Sequence, residues 1–212
     1  MDEEFHYRQF STYYEGDFRT WDPKITTPPG LYYVQYLFSQ IFGGDLSTMR
    51  TINSLIFSNI FLIFITKIYE FKDPNTNNTS RALNLVLTPT IYFFNFMDYT
   101  DTLSITLITM AFYYNMVKSN YRLAITSLLS LYVRQNNIIW IGFLMIYRIL
   151  TEYKKQMFTP KPFLSHIFTI IKVTWNHKIE IIKQLTLQFI IIIVFFGYLK
   201  VYNGGHFVFG DR

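Results

Sequence analysis

The chain of 212 residues is 50% hydrophobic and only 16% charged, and its formal net charge is +5. This balance argues against an ordinary globular domain surrounded by water. The chain has no cysteine, which excludes an internal disulfide, a thiolate metal site and a cysteine nucleophile. The lysines and arginines do not form a stripe with regular aromatic interleaving, so we expect no nucleic-acid partner.

Apolar segments alternate with polar breaks along the chain. A polar segment at 1–30 comes first, and apolar segments follow at 31–42, 51–68, 82–97, 103–117, 123–133, 138–150 and 185–202, with a polar loop at 69–80 and a basic stretch up to residue 183. Runs of about 18 apolar residues are candidate membrane spans, whereas shorter runs can also be buried core helices. Pro89 lies inside one segment and predicts a kink. We predict an all-α fold, in the form of a polytopic bundle of transmembrane helices.

The positive charges predict how this bundle is oriented. Lysines and arginines concentrate at 67–81, 118–122 and 148–183, while most acids lie in the other connections. Because short cytoplasmic loops carry an excess of Lys and Arg, we expect the basic face to be cytoplasmic and the acidic face to be lumenal or external.

Five polar motifs fall on the acidic face in this arrangement. They are MDEEFH (1–6), WDPKITTPPG (21–30), FFNFMDYTD (93–101), VRQNN (133–137) and GGHFVFGDR (204–212). Loops that converge on a helical scaffold are a common way to build a site. The alternative is that each motif is a solvated helix end.

The motif MDEEFH contains the groups best suited to proton transfer. A carboxylate at a membrane boundary loses solvation, which raises its pKa and makes it a better proton acceptor. Asp2 and Glu3 suit a base and its partner, and His6 lies on the same helical face as Asp2, four residues later. Two acids and a histidine also resemble a divalent-metal set, and a third reading is an acidic helix N-terminus favoured by the helix dipole.

The motif WDPKITTPPG is stiffened by three prolines, which restrict their own backbone and that of the preceding residues. Such a loop can hold an indole, hydroxyls and a cation in a fixed array suited to a sugar and a phosphate. The residues held in this way are Trp21, Asp22, Lys24, Thr26 and Thr27. A plain interfacial turn with the tryptophan as membrane anchor is the alternative.

The remaining motifs supply charges close to the apolar segments. Arg134, followed by Gln135, interrupts an apolar stretch, and a charge at membrane depth is a functional candidate by default. An anionic lipid phosphate is its natural partner, although an arginine that extends to the interface is the alternative. The other candidates for substrate binding are Tyr99, Asp101, Asp211 and Arg212.

Taken in order, MDEEFHYRQFSTYYEGDFRTWDPKITTPPGLYY, PTIYFFNFMDYTD and VRQNNIIW resemble the α-1,2-glucosyltransferases of the endoplasmic reticulum, a GT-C family that adds the last glucose to the lipid-linked oligosaccharide of protein N-glycosylation. The resemblance implies a multi-pass membrane enzyme with a lumenal catalytic face. It implies a dolichyl phosphate glucose donor, a dolichyl-diphosphate oligosaccharide acceptor and contact with membrane lipid. It also implies that the enzyme works without a metal or other cofactor.

The same resemblance assigns roles to individual residues. Asp2 matches the general base that takes the proton of the acceptor 2-hydroxyl, and Glu3 and His6 are the second-shell groups or an alternative base. The leaving phosphate needs a cation or a hydrogen-bond donor, for which Arg134 and Arg212 are the candidates, followed by Lys24.

Members of this family have a membrane helix before the acidic motif and continue well beyond the last one. The resemblance therefore implies an N-terminal-half fragment that lacks a first helix and the C-terminal half. We divide the chain into a first lumenal loop (1–30), a transmembrane bundle with basic cytoplasmic loops (31–202) and the start of a further lumenal loop (203–212). From other classes, a transporter fragment whose pathway Arg134 and Asp101 line and a non-catalytic remnant remain alternatives.

Overall fold

The computed structural model describes residues 2–157 and 163–210. Every regular element in these ranges is helical, which confirms the all-α prediction. The elements are α1 (Asp2–Tyr14), α2 (Gly30–Phe42), α3 (Leu46–Thr51), a π-helical segment (Ile52–Phe57), α4 (Ser58–Lys72), α5 (Asn78–Val86), α6 (Pro89–Asn95), α7 (Thr100–Met116), α8 (Asn120–Val133), α9 (Asn137–Glu152), α10 (Lys154–Met157), α11 (Phe163–Asn176) and α12 (Lys178–Tyr202).

Within the described residues, two helices are long and apolar enough to cross a membrane. One is the continuous helix Leu46–Lys72, which joins α3, the π-helical segment and α4, and the other is α12. Only 33% and 28% of their most apolar windows are buried, so most of these side chains point outward. A core helix of a soluble protein would bury the larger part of such a window. The structure thus agrees with membrane helices at these two places, and a polytopic bundle stays a prediction.

Several predicted boundaries are wrong by a few residues, for one physical reason. The last span begins at Lys178 instead of residue 185, and the polar loop predicted at 69–80 is helical up to Lys72 and again from Asn78. The basic stretch before residue 184 also contains α10 and α11. A charged side chain ends an apolar run without ending the helix, because straight-chain charged residues are good helix formers.

Pro89 breaks its segment instead of kinking it. The apolar run predicted at 82–97 forms two short helices, α5 and α6, and Pro89 is the first residue of the second one. A proline has no backbone N–H and disfavours helical backbone in the residue before it, so it suits a helix start.

The two largest apolar clusters among the described residues both include residues of α8. The first joins α1, α2 and the long helix to α7 through residues such as Phe10, Tyr32 and Leu103. The second joins α8 and α9 to α12. Gly30 lets α2 start directly against the end of α8, because a β-carbon there would lie 2.4 Å from the Tyr132 carbonyl oxygen. This close approach places the loop before α2 beside the break between α8 and α9.

Candidate active site

A cavity of about 380 Å³ lies where four stretches of the chain meet. Its walls come from α1, the loop between α1 and α2, the turn before α7, and the break between α8 and α9. The lining residues are Phe5, His6, Lys24, Ile25, Thr26, Thr27, Tyr99 and Arg134. The structure thus brings residues of the first four polar motifs around one space.

Arg134 reaches this cavity because α8 ends immediately before it. Its backbone is extended, with φ −152° and ψ 116°, and α9 begins only at Asn137. The guanidinium forms an ion pair with Asp101, and the two side chains are 29% and 32% exposed. Of the guanidinium nitrogens, only Nη1 donates to a residue in the part of the chain that is described. The other N–H groups are therefore available to an anion.

A second cavity of about 350 Å³ shares Arg134 with the first. It is lined by Asp101, Ser104, Ile105, Ile108, Arg134, Asn136, Asn137 and Trp140. Its walls are more apolar than those of the first cavity, apart from the Arg134–Asp101 pair. One cation therefore stands between a polar cavity and a partly apolar one.

Gln9 of α1 holds the proline-stiffened loop in position from one side. Its side-chain oxygen accepts a hydrogen bond from the Asp22 backbone N–H at 2.7 Å, and its nitrogen donates to the Thr20 carbonyl at 2.8 Å. The Asp22 carboxylate accepts from the Lys24 backbone N–H at 2.9 Å. The Trp21 indole donates to the Ile25 carbonyl at 3.3 Å. Trp21 and Asp22 therefore shape the loop and do not line the cavity.

Two further contacts hold the same loop from the opposite side. The Gln135 side chain donates to the Thr26 carbonyl at 2.7 Å, and the Phe209 backbone N–H donates to the same oxygen at 3.3 Å. Gly210 has a positive φ of 75°, and a β-carbon there would lie 2.2 Å from the Pro23 carbonyl oxygen. The fifth polar motif thus also packs against this site, through residues 209 and 210.

His6 is buried in the cavity wall, with only 6% of its surface exposed. Its Nδ1 lies 2.5 Å from the Tyr32 hydroxyl oxygen. The Tyr99 ring meets the imidazole edge-on, with centroids 4.8 Å apart. These two tyrosines fix the orientation of the imidazole ring. A fixed orientation is what a side chain needs in order to position a substrate or to transfer a proton.

Glu3 and Asp98 form a buried acidic pair beneath the cavity. The Glu3 carboxylate accepts from Arg50 Nε at 2.9 Å and Nη2 at 2.7 Å, and from the Asp98 backbone N–H at 2.7 Å. The hydrogen bonds from Arg50 hold the pKa of Glu3 below its ordinary value. Asp98 is fully buried, accepts from the Gln35 amide, and has a second oxygen without a partner among the described residues. The pKa of Asp98 is raised to about 7, mainly by burial and also by the nearby Glu3 charge.

The predicted residues divide into three groups in the structure. The main cavity is lined by His6, Lys24, Thr26, Thr27, Tyr99 and Arg134. These residues are held in place by Glu3, Trp21, Asp22, Asp101 and Gln135. The structure does not describe the Asp2 side chain or residues Asp211 and Arg212.

No prediction was made from the sequence for three supporting residues, Gln9, Gln35 and Arg50. A signal was present for Gln35, since it is a polar residue inside an otherwise apolar helix.

No group of three or more His, Asp or Glu side chains close enough to hold a metal ion occurs within the described residues. The described acids of the site are engaged by arginine and by amide donors.

Outward-facing apolar helices, together with a polar cavity at a place where several helices end, are features of helical membrane proteins that bind a polar group near the membrane surface. The family model described as the DIE2/ALG10 family matches residues 1–212, and the chain belongs to this family.

Three curated relatives carry the name Dol-P-Glc:Glc(2)Man(9)GlcNAc(2)-PP-Dol alpha-1,2-glucosyltransferase. The chain is 30% identical to the Arabidopsis thaliana protein, with 97% of the chain and 54% of that protein covered. It is 31% identical to the Rattus norvegicus protein, with 100% and 52% covered, and 30% identical to the Candida glabrata protein, with 96% and 40% covered. The chain therefore spans about half the length of the curated relatives it matches. No solved structure matches the chain.

Proposed function

We propose that this protein transfers glucose from dolichyl phosphate glucose to the terminal glucose of a dolichyl-diphosphate-linked oligosaccharide. The product linkage is α-1,2, and the reaction takes place on the lumenal side of the endoplasmic-reticulum membrane. The names of the relatives support the donor, the acceptor and the linkage. The observation that carries the proposal is the cavity in which His6, two threonines, Tyr99 and Arg134 face one space.

The chemistry is a single displacement at the anomeric carbon of the donor glucose. The 2-hydroxyl oxygen of the acceptor attacks this carbon, and the bond to the phosphate oxygen breaks. Dolichyl phosphate leaves with the electron pair, and the β-linked donor becomes an α-linked product. A base must take the hydroxyl proton, and a cation must stabilise the charge on the leaving phosphate.

Arg134 is suited to the leaving phosphate. Its guanidinium has unused N–H donors, and a planar guanidinium binds phosphate oxygens in pairs. The second cavity, with Ile105, Ile108 and Trp140, offers an apolar surface to the first carbons of the lipid. Asp101 holds the guanidinium between the two cavities.

We assign the base to Asp2 and a positioning role to Glu3. The Glu3 oxygens are occupied by Arg50 and by the Asp98 backbone N–H, and the depressed pKa of Glu3 makes it a weaker proton acceptor. Asp2 is one helical turn before His6, which lines the cavity.

The test is the rate of glucose transfer from labelled dolichyl phosphate glucose to the Glc2Man9 acceptor, measured in membranes that carry the protein. Asp2→Asn should reduce transfer by at least about a hundredfold, as expected for the loss of a general base. Glu4→Gln is the matched control, because Glu4 is 72% exposed and only pairs with Arg8. Near-normal transfer by Asp2→Asn would remove this residue from the mechanism.

A further inference from the structure

A third cavity, which is also polar, lies at the opposite end of α7, α8 and α9 from the candidate active site. Its volume is about 230 Å³, and it is lined by Phe71, Asn115, Met116, Lys118, Tyr147, Arg148, Thr151 and Glu152. Along α9, Arg148 is eleven residues beyond Asn137, which corresponds to about 16 Å at 1.5 Å per residue. The two cavities are therefore separate sites.

Arg148 is the unusual group in this cavity. It is only 6% exposed, yet no described carboxylate forms an ion pair with it. Nη1 donates to the Asn115 carbonyl at 3.2 Å, and Nη2 donates to the Asn120 side-chain oxygen at 3.0 Å. Nε is buried and has no partner among the residues that the structure describes. A buried charge that is bonded only to neutral oxygens is costly, and an anion close to the guanidinium would offset that cost.

A second cation stands at the rim of the same cavity. Lys118 is 59% exposed on its side chain, and its ammonium lies 2.5 Å from a Glu152 carboxylate oxygen. The Glu152 charge is therefore already neutralised, and Arg148 gives the cavity a surplus of one positive charge. An anion that enters would meet the buried Arg148 guanidinium inside and the exposed Lys118 ammonium at the rim.

The location of the cavity indicates the kind of anion. Phe71 lines it and is the last residue but one of the apolar helix Leu46–Lys72. The end of a membrane span is the level at which phospholipid headgroups lie, and basic pockets between such helices bind lipid phosphates. The cavity combines apolar walls from Phe71, Met116 and Tyr147 with the two cations.

We infer that this cavity binds a phosphate group, of the kind carried by an anionic phospholipid headgroup, through the Arg148 guanidinium and the Lys118 ammonium. Bound in this way, a phospholipid would tie the α7–α8 turn to the end of α9. The site is independent of the proposed transfer reaction and would exist whether or not that proposal is correct.

The test measures lipid and phosphate binding to the chain purified in a non-ionic detergent. Native mass spectrometry detects the bound ligand, and thermal unfolding measures its effect on the Tm. The probes are dioleoyl phosphatidylglycerol, dioleoylglycerol as the lipid with the same chains and no phosphate, and inorganic phosphate as the soluble source. We expect phosphatidylglycerol to bind and to raise the Tm, and dioleoylglycerol to do neither. A Tm increase with inorganic phosphate alone would also support the site and would identify a soluble ligand. Equal binding of the two lipids would overturn the inference, as would no response to any probe.

Two substitutions and one control locate the binding. Arg148→Gln should weaken phosphatidylglycerol binding by at least about tenfold, the size expected for losing a charge-assisted hydrogen bond. Lys118→Asn leaves the buried bonds of Arg148 intact and suits the positive φ of 58° at this position, so it tests the site even if Arg148→Gln fails to fold. It should weaken binding severalfold, because it also releases the Glu152 charge. Arg81→Gln, a half-exposed arginine outside the cavity, should change binding less than twofold. Unchanged binding by the Lys118 variant, or equal losses in all three, would refute the assignment.

Discussion

Replacing Asp98 by asparagine should stabilise the protein at neutral pH and not at acidic pH. Asp98 lies in the turn before α7 and is fully buried, and burial raises the pKa of its carboxyl to about 7 from an ordinary 3.8. The amide has the shape of the protonated carboxyl, can still accept from Gln35 through its oxygen, and does not ionise. The substitution therefore isolates the free-energy cost of burying an ionisable carboxyl group at this position.

The magnitude follows from the two pKa values. Below about pH 4, Asp98 is protonated in the folded and the unfolded protein, so its titration has no effect on stability. As the pH rises from about 4 to 7, the unfolded chain loses the proton while the folded protein keeps it, and wild-type stability falls. At about 1.4 kcal/mol per pH unit, the full loss is about 4 kcal/mol above pH 7. For a chain of this size this corresponds to a Tm difference of about 8–16 °C.

The assay is thermal unfolding of wild type and variant in the same non-ionic detergent from pH 4 to pH 8. The Tm of Asp98→Asn relative to wild type should rise steadily over this range and level off above pH 7. Asp73→Asn is the matched control, since it removes the same charge from a side chain that is 48% exposed. A Tm difference for Asp98→Asn that does not change with pH would refute the burial argument.

Three further predictions concern the cavity, the packing and the topology. Arg134→Gln should lower glucose transfer by about a hundredfold with little change in Tm, whereas a loss of Tm without a loss of transfer would make Arg134 structural. Gly30→Ala should destabilise the protein by about 1–3 kcal/mol through collision with the end of α8, while Gly142→Ala, where nothing lies within 4 Å, should not lower the Tm. Because the chain has no cysteine, Lys24→Cys and Tyr121→Cys can be labelled singly in sealed microsomes. A membrane-impermeant maleimide added outside should label only Tyr121→Cys, and labelling of both would contradict the predicted orientation.

The sequence was sufficient to predict the helical class and the segments that later form one site. Apolar composition and the order of polar breaks are local properties, so they show which stretches are helical and where the polar motifs lie. The loop 21–30 is an example: its prolines and Gly30 predict a stiff turn that releases into a helix, and α2 begins at Gly30. The helix ends near Lys72 and Lys178 were predicted less accurately. The apolar pattern stops at a charged residue, whereas the backbone hydrogen bonds of the helix continue past it.

The partners of the buried polar groups were decided by tertiary structure alone. Glu3 pairs with Arg50, 47 residues away, and Gln35 reaches Asp98, 63 residues away. Sequence marked Glu3 as a candidate base, and the packing of α1 against the long helix shows that its carboxylate is already occupied. Such contacts depend on the angles and distances at which helices cross, and these come from the summed packing of many side chains. The candidate residue types were therefore evident from the sequence. Which charged groups are paired, and which are buried, became known only from the tertiary structure.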